Sequence, residues 1–251
     1  PANETNSLAR ATSLPIKDSV TVTKGLSLSA TNTRTGNSVT ATFTMKNFST
    51  KAVNIGRMKI QGELKGKQYD FPSTANNLTL QPGEEYVYNG SIELPDAGKY
   101  TFRLMNVRDS IGWSSNFPIS ESSNILRSAG ITALNGVTAT SSLSLSAGSA
   151  RVTDTVTATF TMKNFSTKAV NIGRMKVEGK VSGVQYDFPS TPDNLTLQPG
   201  EEYTYSQSRT FPKVGTYSFK LMNYRSWAGW SAEYPANETS NILRAASITI
   251  K

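Results

Sequence analysis

Along much of the chain, apolar and polar side chains take alternate positions. Val39, Ala41, Phe43 and Met45 are separated by Thr40, Thr42 and Thr44. A pleated strand would therefore turn one face to a core and a hydroxyl-lined face to water. Leu26-Ser27-Leu28-Ser29, Tyr86-Val87-Tyr88 and Tyr100-Thr101-Phe102-Arg103-Leu104 keep the same period. Thr35-Gly36-Asn37, Gln81-Pro82-Gly83 and Pro95-Asp96-Ala97-Gly98 fall between them as turn signals. No segment sustains a 3.6-residue period with capping residues. About seven short strands in a little over 100 residues predict a β-sandwich rather than a barrel.

The pattern is written twice. Val39 to Lys59 returns unchanged as Val156 to Lys176, and Asn77 to Tyr86 returns as Asn194 to Tyr203. Trp113 maps to Trp230, and Asn124-Ile125-Leu126-Arg127 to Asn241-Ile242-Leu243-Arg244, all at an offset of 117 with no insertion between these anchors. Pro1-Ala2-Asn3-Glu4-Thr5 matches Pro235-Ala236-Asn237-Glu238-Thr239 two periods on. Self-similarity of this kind is the signature of a repeat array. It divides the chain into 1–17, the terminal strand of a preceding repeat, then 18–134 and 135–251, two sandwich repeats. The chain is thus expected to begin inside an array. Pro118 to Leu134 and Pro235 to Lys251 are expected to be each repeat's own final strand.

Asp96-Ala97-Gly98-Lys99-Tyr100-Thr101-Phe102 resembles the Asp-x-Gly-x-Tyr-x-Cys stretch at the E–F corner of immunoglobulin domains, with Phe102 in place of the Cys. The resemblance implies a buried Tyr ring whose hydroxyl bonds back to the corner backbone. The second copy, Lys213 to Phe219, loses the Asp but keeps Gly215, Tyr217 and Phe219. Together with Leu80-Gln81-Pro82-Gly83-Glu84, each copy is similar to the CARDB-like and fibronectin-III-like domains of bacterial or archaeal extracellular surface proteins. The implied fold is all-β: two tandem immunoglobulin-like β-sandwiches with an extra N-terminal strand. Domains of this group serve as spacers or binding modules, so the resemblance specifies a fold rather than an activity.

Composition removes whole classes of chemistry. The 251 residues contain no His and no Cys. Thiol nucleophiles, disulfides, Cys/His zinc sites and imidazole acid–base catalysis are therefore excluded. Glu84-Glu85 and Glu201-Glu202 stand at a turn entering a strand, where neighbours point to opposite faces, and read as solvated turns rather than a catalytic pair. There is no Asp-x-Asp-x-Asp calcium run and no phosphate-binding glycine loop. The sequence gives no catalytic, cofactor-binding or metal-ligating residue and implies no cofactor. The +8 net charge would attract anionic polymers or cell surfaces. The basic stretch Lys46, Lys51, Arg57, Lys59, Lys65 and Lys67 nevertheless lacks the interleaved exposed aromatics of single-strand binders. Nucleic acid is not an expected partner. No apolar stretch reaches the length of a transmembrane helix.

Tyr224, Trp227, Trp230 and Tyr234 crowd the segment after the sixth strand of the second copy, where the first copy has Val107, Ser110, Trp113 and Phe117. Trp113 and Trp230, common to both, are expected to fill a core or cap a sandwich end. The four aromatics of the second copy are also candidates for stacking on sugar rings. Asn-x-Ser/Thr sequons stand at Asn3, Asn47, Asn77, Asn89, Asn164, Asn194 and Asn237, of consequence only where surface proteins are N-glycosylated. A Lys–Asn isopeptide has no visible support, because Lys46 and Lys59 continue the polar phase.

These features lead to an expectation of a non-enzymatic structural repeat of a fibre, stalk or adhesin, extracellular or at the cell surface. Self-association head to tail would use terminal strands, with Leu8, Leu14 and Ile16 taking the places of Ile242, Ile248 and Ile250. The alternative is a carbohydrate-binding accessory region of a secreted hydrolase, whose partner would be a polysaccharide. Asn135-Gly136 offers no Pro-rich or Gly/Ser-rich linker, so the two copies are expected to hold a narrow range of angles.

Overall fold

The β-strands follow the alternation. A computed structural model describes residues 19–108, 112–226 and 229–251. The proposed extra strand at residues 1–17, with Leu8, Leu14 and Ile16, lies outside the described residues, as does Trp227. Among the described residues there is no helix.

The first copy runs β1 (Val20–Leu28), β2 (Asn32–Arg34), β3 (Ser38–Asn47), β4 (Val53–Leu64), β5 (Lys67–Gln68), β6 (Leu78–Leu80), β7 (Glu85–Glu93), β8 (Gly98–Arg108), β9 (Gly112–Ser114), β10 (Ile119–Ser120) and β11 (Ser128–Leu134). One sheet has the order β10-β1-β3-β7 and the other β2-β11-β8-β4-β5. The edge of the molecule near β1 is closed by a change of sheet: β1 pairs antiparallel with β3, and β2 then crosses to pair parallel with β11. The second copy repeats this with β12 (Val137–Ala139), β13 (Ser144–Leu145), β14 (Ser149–Ala150), β15 (Thr155–Asn164), β16 (Val170–Val181), β17 (Val184–Gln185), β18 (Leu195–Leu197), β19 (Glu202–Thr210), β20 (Gly215–Arg225), β21 (Gly229–Ser231), β22 (Ala236–Asn237) and β23 (Ala245–Ile250). Two sheets face to face in each copy, with this strand order, make an immunoglobulin-like sandwich.

The expected single final strand is in fact two. In each copy the segment first pairs parallel in one sheet (Thr21↔Ile119, Thr138↔Ala236), turns, and only then joins the other sheet as β11 or β23. The X-Pro bonds preceding it, Phe117-Pro118 and Tyr234-Pro235, are both cis. A period-2 reading sees the apolar residues but not the turn between them.

Inward residues form one core per copy, Val20 to Ala133 and Val137 to Ile250. Phe43 stacks on Tyr88 (5.0 Å between centroids), and Phe160 on Tyr205 (4.9 Å). The Tyr corner forms as the motif implies: buried Tyr100 donates its hydroxyl to Asp96 O (2.7 Å) and accepts from Asp96 N (3.2 Å), while Tyr217 donates to Lys213 O (2.9 Å). On the outer face of the β1–β3–β7 sheet the predicted hydroxyls pair across strands, Ser27 with Thr42 and Thr40 with Ser91, each at 2.7 Å. Glu84 and Glu201 close their turns by accepting from Gln81 N (2.6 Å) and Gln198 N (2.7 Å).

Gly62 and Gly179 are where the second sheet packs tightest. A Cβ on Gly62 would stand 2.3 Å from the Phe102 ring and 2.4 Å from Tyr69 O, and Gly179 meets Phe219 and Tyr186 O in the same way. Gly62→Ala is expected to lower stability by about 2 kcal/mol through overpacking, read as a loss in urea midpoint at unchanged slope. Burial also pushes the Tyr88, Tyr100 and Tyr234 hydroxyls up to about 12. A group raised in the folded state contributes stability that is complete below its unfolded value, about 10, and is lost as pH rises through the folded one. Alkaline titration followed by phenolate absorbance should therefore place their ionisation above the ordinary tyrosine value. These three should ionise together with unfolding.

Candidate functional site

Two places gather charged and aromatic side chains beyond what folding alone requires. The first lies on the outer face of the β16–β20–β21 sheet. Alternation along Arg174-Met175-Lys176 sends Met175 into the core and the two cations outward. The β20–β21 hairpin register pairs Tyr224 with Trp230 and lays both rings over those cations. Lys176 Nζ sits 4.4 Å from the Trp230 centroid and the Arg174 guanidinium 5.2 Å from it, with Tyr224 at 5.4 Å from the guanidinium. The two rings are tilted by 52° at 5.4 Å. Lys176 is tied on its other side to Asp187 (2.6 Å). The first copy builds the same unit from Arg57, Lys59, Asp70 and Trp113.

Trp113 and Trp230 therefore do not fill a core. Trp113 is 38% exposed, and both tryptophans cover an outer sheet face whose lysine and arginine supply cation–π partners. Lys59, on the polar phase of its strand, is consequently buried beneath Trp113 and neutralised by Asp70 at 2.5 Å.

Beside this unit opens a cleft of ≈ 590 Å³ lined by Asn171, Arg174, Asp193, Asn194, Tyr224 and Arg225. Arg174 Nε, buried and without a hydrogen bond, faces Asp193 Oδ1 at 3.4 Å. Tyr224 and Asp193 replace Val107 and Asn76 of the first copy, so a ring wall and a carboxylate distinguish this end. Of the aromatics named from the sequence, Tyr224 and Trp230 meet here. Tyr234 stands apart, half-buried against the second core with the Arg225 guanidinium 4.3 Å from its centroid. Its segment is held by Arg244, which donates to Ala232 O (2.9 Å), Tyr234 O (3.2 Å) and Pro235 O. Cations already occupy ring faces that a sugar would use, while amides, guanidinium groups and a carboxylate offer hydrogen bonds to hydroxyls.

Ile242, Ile248 and Ile250, named for the assembly strand, are buried. Ile248 lies opposite Tyr217 and Ile250 opposite Gly215 in β20, and Ile242 sits in the preceding turn, its carbonyl accepting from Asn237 Nδ2 (2.5 Å). The sequons separate by burial. Asn47 and Asn164 are fully buried and their amides are spent on Lys51 O, Leu80 O and their equivalents, whereas Asn77, Asn89 and Asn194 are exposed.

The second place is the junction between the copies, which motif reading missed. Only Asn135 and Gly136 separate β11 from β12. Arg34, at the end of β2, sends a two-pronged fork to Glu238: Nη2 to Oε1 at 2.6 Å and Nη1 to Oε2 at 3.1 Å, with Nη1 also reaching Asn135 O (3.1 Å). Glu238 accepts from Thr138 as well (2.5 Å). The guanidinium also lies 4.6 Å from the Phe165 centroid. Asn37 Oδ1 accepts from Thr167 N (2.8 Å) and Oγ1 (3.1 Å), Thr35 Oγ1 accepts from Gly136 N (2.8 Å), and Lys168 pairs with Glu93. The hydrogen bond from Arg34, joined by that from Thr138, holds the Glu238 carboxyl below the usual glutamate range. A signal existed: Arg34 recurs as Arg151, and Glu238 as Glu121 and Glu4, at the repeat period.

No protein-family description and no curated protein matches the chain. Among solved structures, red sea bream transglutaminase is similar over 90% of this chain and 31% of its own, with 11% identity and a TM-score of 0.35. A β-glucosidase from Erythrobacter marinus is similar over 46% of this chain and 15% of its own (11% identity, TM-score 0.32). The CARDB domain of a Pyrococcus furiosus protein is similar over 46% of this chain and 94% of its own (16% identity, TM-score 0.30). The chain thus spans less than a third of the length of either enzyme.

Proposed function

We propose that this chain is a non-enzymatic structural repeat module of an extracellular fibre, stalk or adhesin, joined head to tail with its neighbours through terminal strands. The observation that supports this reading most is the junction. A spacer needs its neighbouring domains held at a set angle, and here a two-residue connection is reinforced by the Arg34 fork on Glu238. Arg34 and Glu238 side chains are 17% and 27% exposed. At that burial a charged, bidentate contact contributes about 1.5–3 kcal/mol, whereas the exposed Lys168–Glu93 pair adds under about 1 kcal/mol. The lack of His and Cys agrees with a role without turnover.

Small-angle scattering is the test. The chain should fit a narrow distribution of interdomain angles, and Arg34→Glu should broaden it while leaving the unfolding midpoint of each sandwich unchanged. A broad distribution in the unmutated protein would overturn the reading. The pH dependence has a fixed sign: a carboxylate with a lowered folded pKa stabilises above its unfolded value and loses that contribution as pH falls through the folded one. The narrow distribution should therefore survive to pH 4.5, the ordinary glutamate value, and widen only below it.

The cleft beside Tyr224 and Trp230 favours a second reading, a carbohydrate-binding accessory region of a secreted hydrolase. It is checked by polysaccharide pull-down with Tyr224→Ala and Trp227→Ala. Strong binding to the unmutated chain, reduced about tenfold or more in either variant, would displace the purely structural reading.

A further inference from the structure

The two residues that connect the copies are Asn135 and Gly136. An Asn followed by Gly is the pair in which a backbone nitrogen most readily attacks the preceding side chain, because glycine has no Cβ to hinder the approach. The chain holds one other such pair, Asn89-Gly90 in β7.

In the folded molecule the junction occupies both backbone groups of Gly136. Its N–H donates to Thr35 Oγ1 of the first copy (2.8 Å), and its carbonyl accepts from Phe165 N of the second (2.7 Å). The residue is buried, and a Cβ on it would stand 3.1 Å from Ser166 Cβ and 3.1 Å from Thr35 O. The close approach of the two sandwiches therefore favours glycine here, and the same contacts hold its nitrogen in place. Asn135 is half-exposed and lines an open cleft between the copies with Arg34, Lys99, Leu134 and Glu238. Water reaches the Asn while the nucleophile beside it is engaged.

We propose that Asn135-Gly136 is a self-modification site gated by the interdomain contact, deamidating when the junction opens and protected while it is closed. On opening, Gly136 N loses its proton and bonds to Asn135 Cγ, the Cγ–Nδ2 bond breaks, and ammonia leaves with that proton. Water then opens the cyclic imide at one of its two carbonyls. The balance is one amide and one water consumed, one carboxylate and one ammonium formed. Opening at Cγ leaves Asp. Opening at the main-chain carbonyl routes the backbone through Cβ and Cγ, which lengthens the connection by one atom. In that product Asn135 O, which accepts from Arg34 Nη1 (3.1 Å), becomes part of a free carboxylate. It then competes with Glu238 for the guanidinium. A transient opening is thereby converted into a lasting one. The inference depends on the junction contacts and not on what the chain does as a module.

The test is peptide mapping of the full chain by mass spectrometry during incubation at mildly alkaline pH, with Asn89 as internal reference. In the folded chain Asn135 should convert at least about tenfold more slowly than in the urea-unfolded chain. Arg34→Glu, which breaks the fork, and Thr35→Ala, which removes the acceptor of Gly136 N–H, should each speed conversion at Asn135. Both should leave the rate at Asn89 and the unfolding midpoints near the unmutated values. Chains converted at Asn135, separated by charge, should show a broader distribution of interdomain angles in scattering. An Asn135 that converts no faster unfolded than folded, or at the unmutated rate in both variants, would overturn the proposal, as would converted chains that keep the narrow distribution.

Discussion

Everything at the scale of the whole molecule depends on one arginine fork. Arg34 ends β2, the short strand that has left the first sheet to pair with β11, and β11 is the strand that leads into the next copy. The fork therefore fastens the second sandwich to the point where the chain leaves the first. Because Arg34 also covers Phe165 and reaches Asn135 O, rotation about the two connecting residues would break polar and apolar contacts together. A connection of two residues limits how far neighbouring sandwiches can separate. The fork limits how they turn.

Within each copy the turns are held by buried amides. Asn47 closes the loop after β3, donating to Lys51 O and Leu80 O and accepting from Ser49 N and Oγ, so all its polar atoms are used inside the fold. Asn106 bridges Ile55 O and Arg57 O where Gly56, at φ 72°, interrupts the regular register of β4 with β6. Asn164 and Asn223 repeat both arrangements. An unpaired amide would cost about 1–3 kcal/mol, so Asn47 and Asn164 fix the loops that carry Phe48 and Phe165 to the sandwich ends.

What was legible in the sequence was what is local. The alternation from Val39 to Met45 gives strand and face directly, and Gly98-Lys99-Tyr100 names its own corner because the Tyr bonds to backbone only four residues away. What escaped depends on partners distant in the chain. Asn47 continues the buried phase of β3 yet carries a sequon, and only the fold shows its amide spent on Leu80 O. Trp113 and Trp230 look like core residues by type, but the cations at the fifth and seventh positions of β4 and β16 draw them onto an outer face. Phe165 follows a buried Asn and breaks the alternation. Its role lies in the meeting of two copies, which no window within one copy contains.

The parallel pairing of β2 with β11 has a mechanical consequence. Tension applied between the two ends of a copy pulls β2 backward along its axis and β11 forward along nearly the same axis. The bonds from Thr132 N to Thr31 O (3.0 Å) and from Thr35 N to Leu134 O (2.8 Å), lying across that axis, share the load and must yield together in shear. An antiparallel hairpin pulled from its open end would peel one bond at a time. β14 and β23 repeat the clamp in the second copy, with Thr249 N to Gly148 O and Lys251 N to Ala150 O. A pull from the N-terminal side of each copy acts first on β1, or on β12 and β13, in their antiparallel pairs with β3 and β15. Once these yield, it is met by the parallel bonds that close the sandwich.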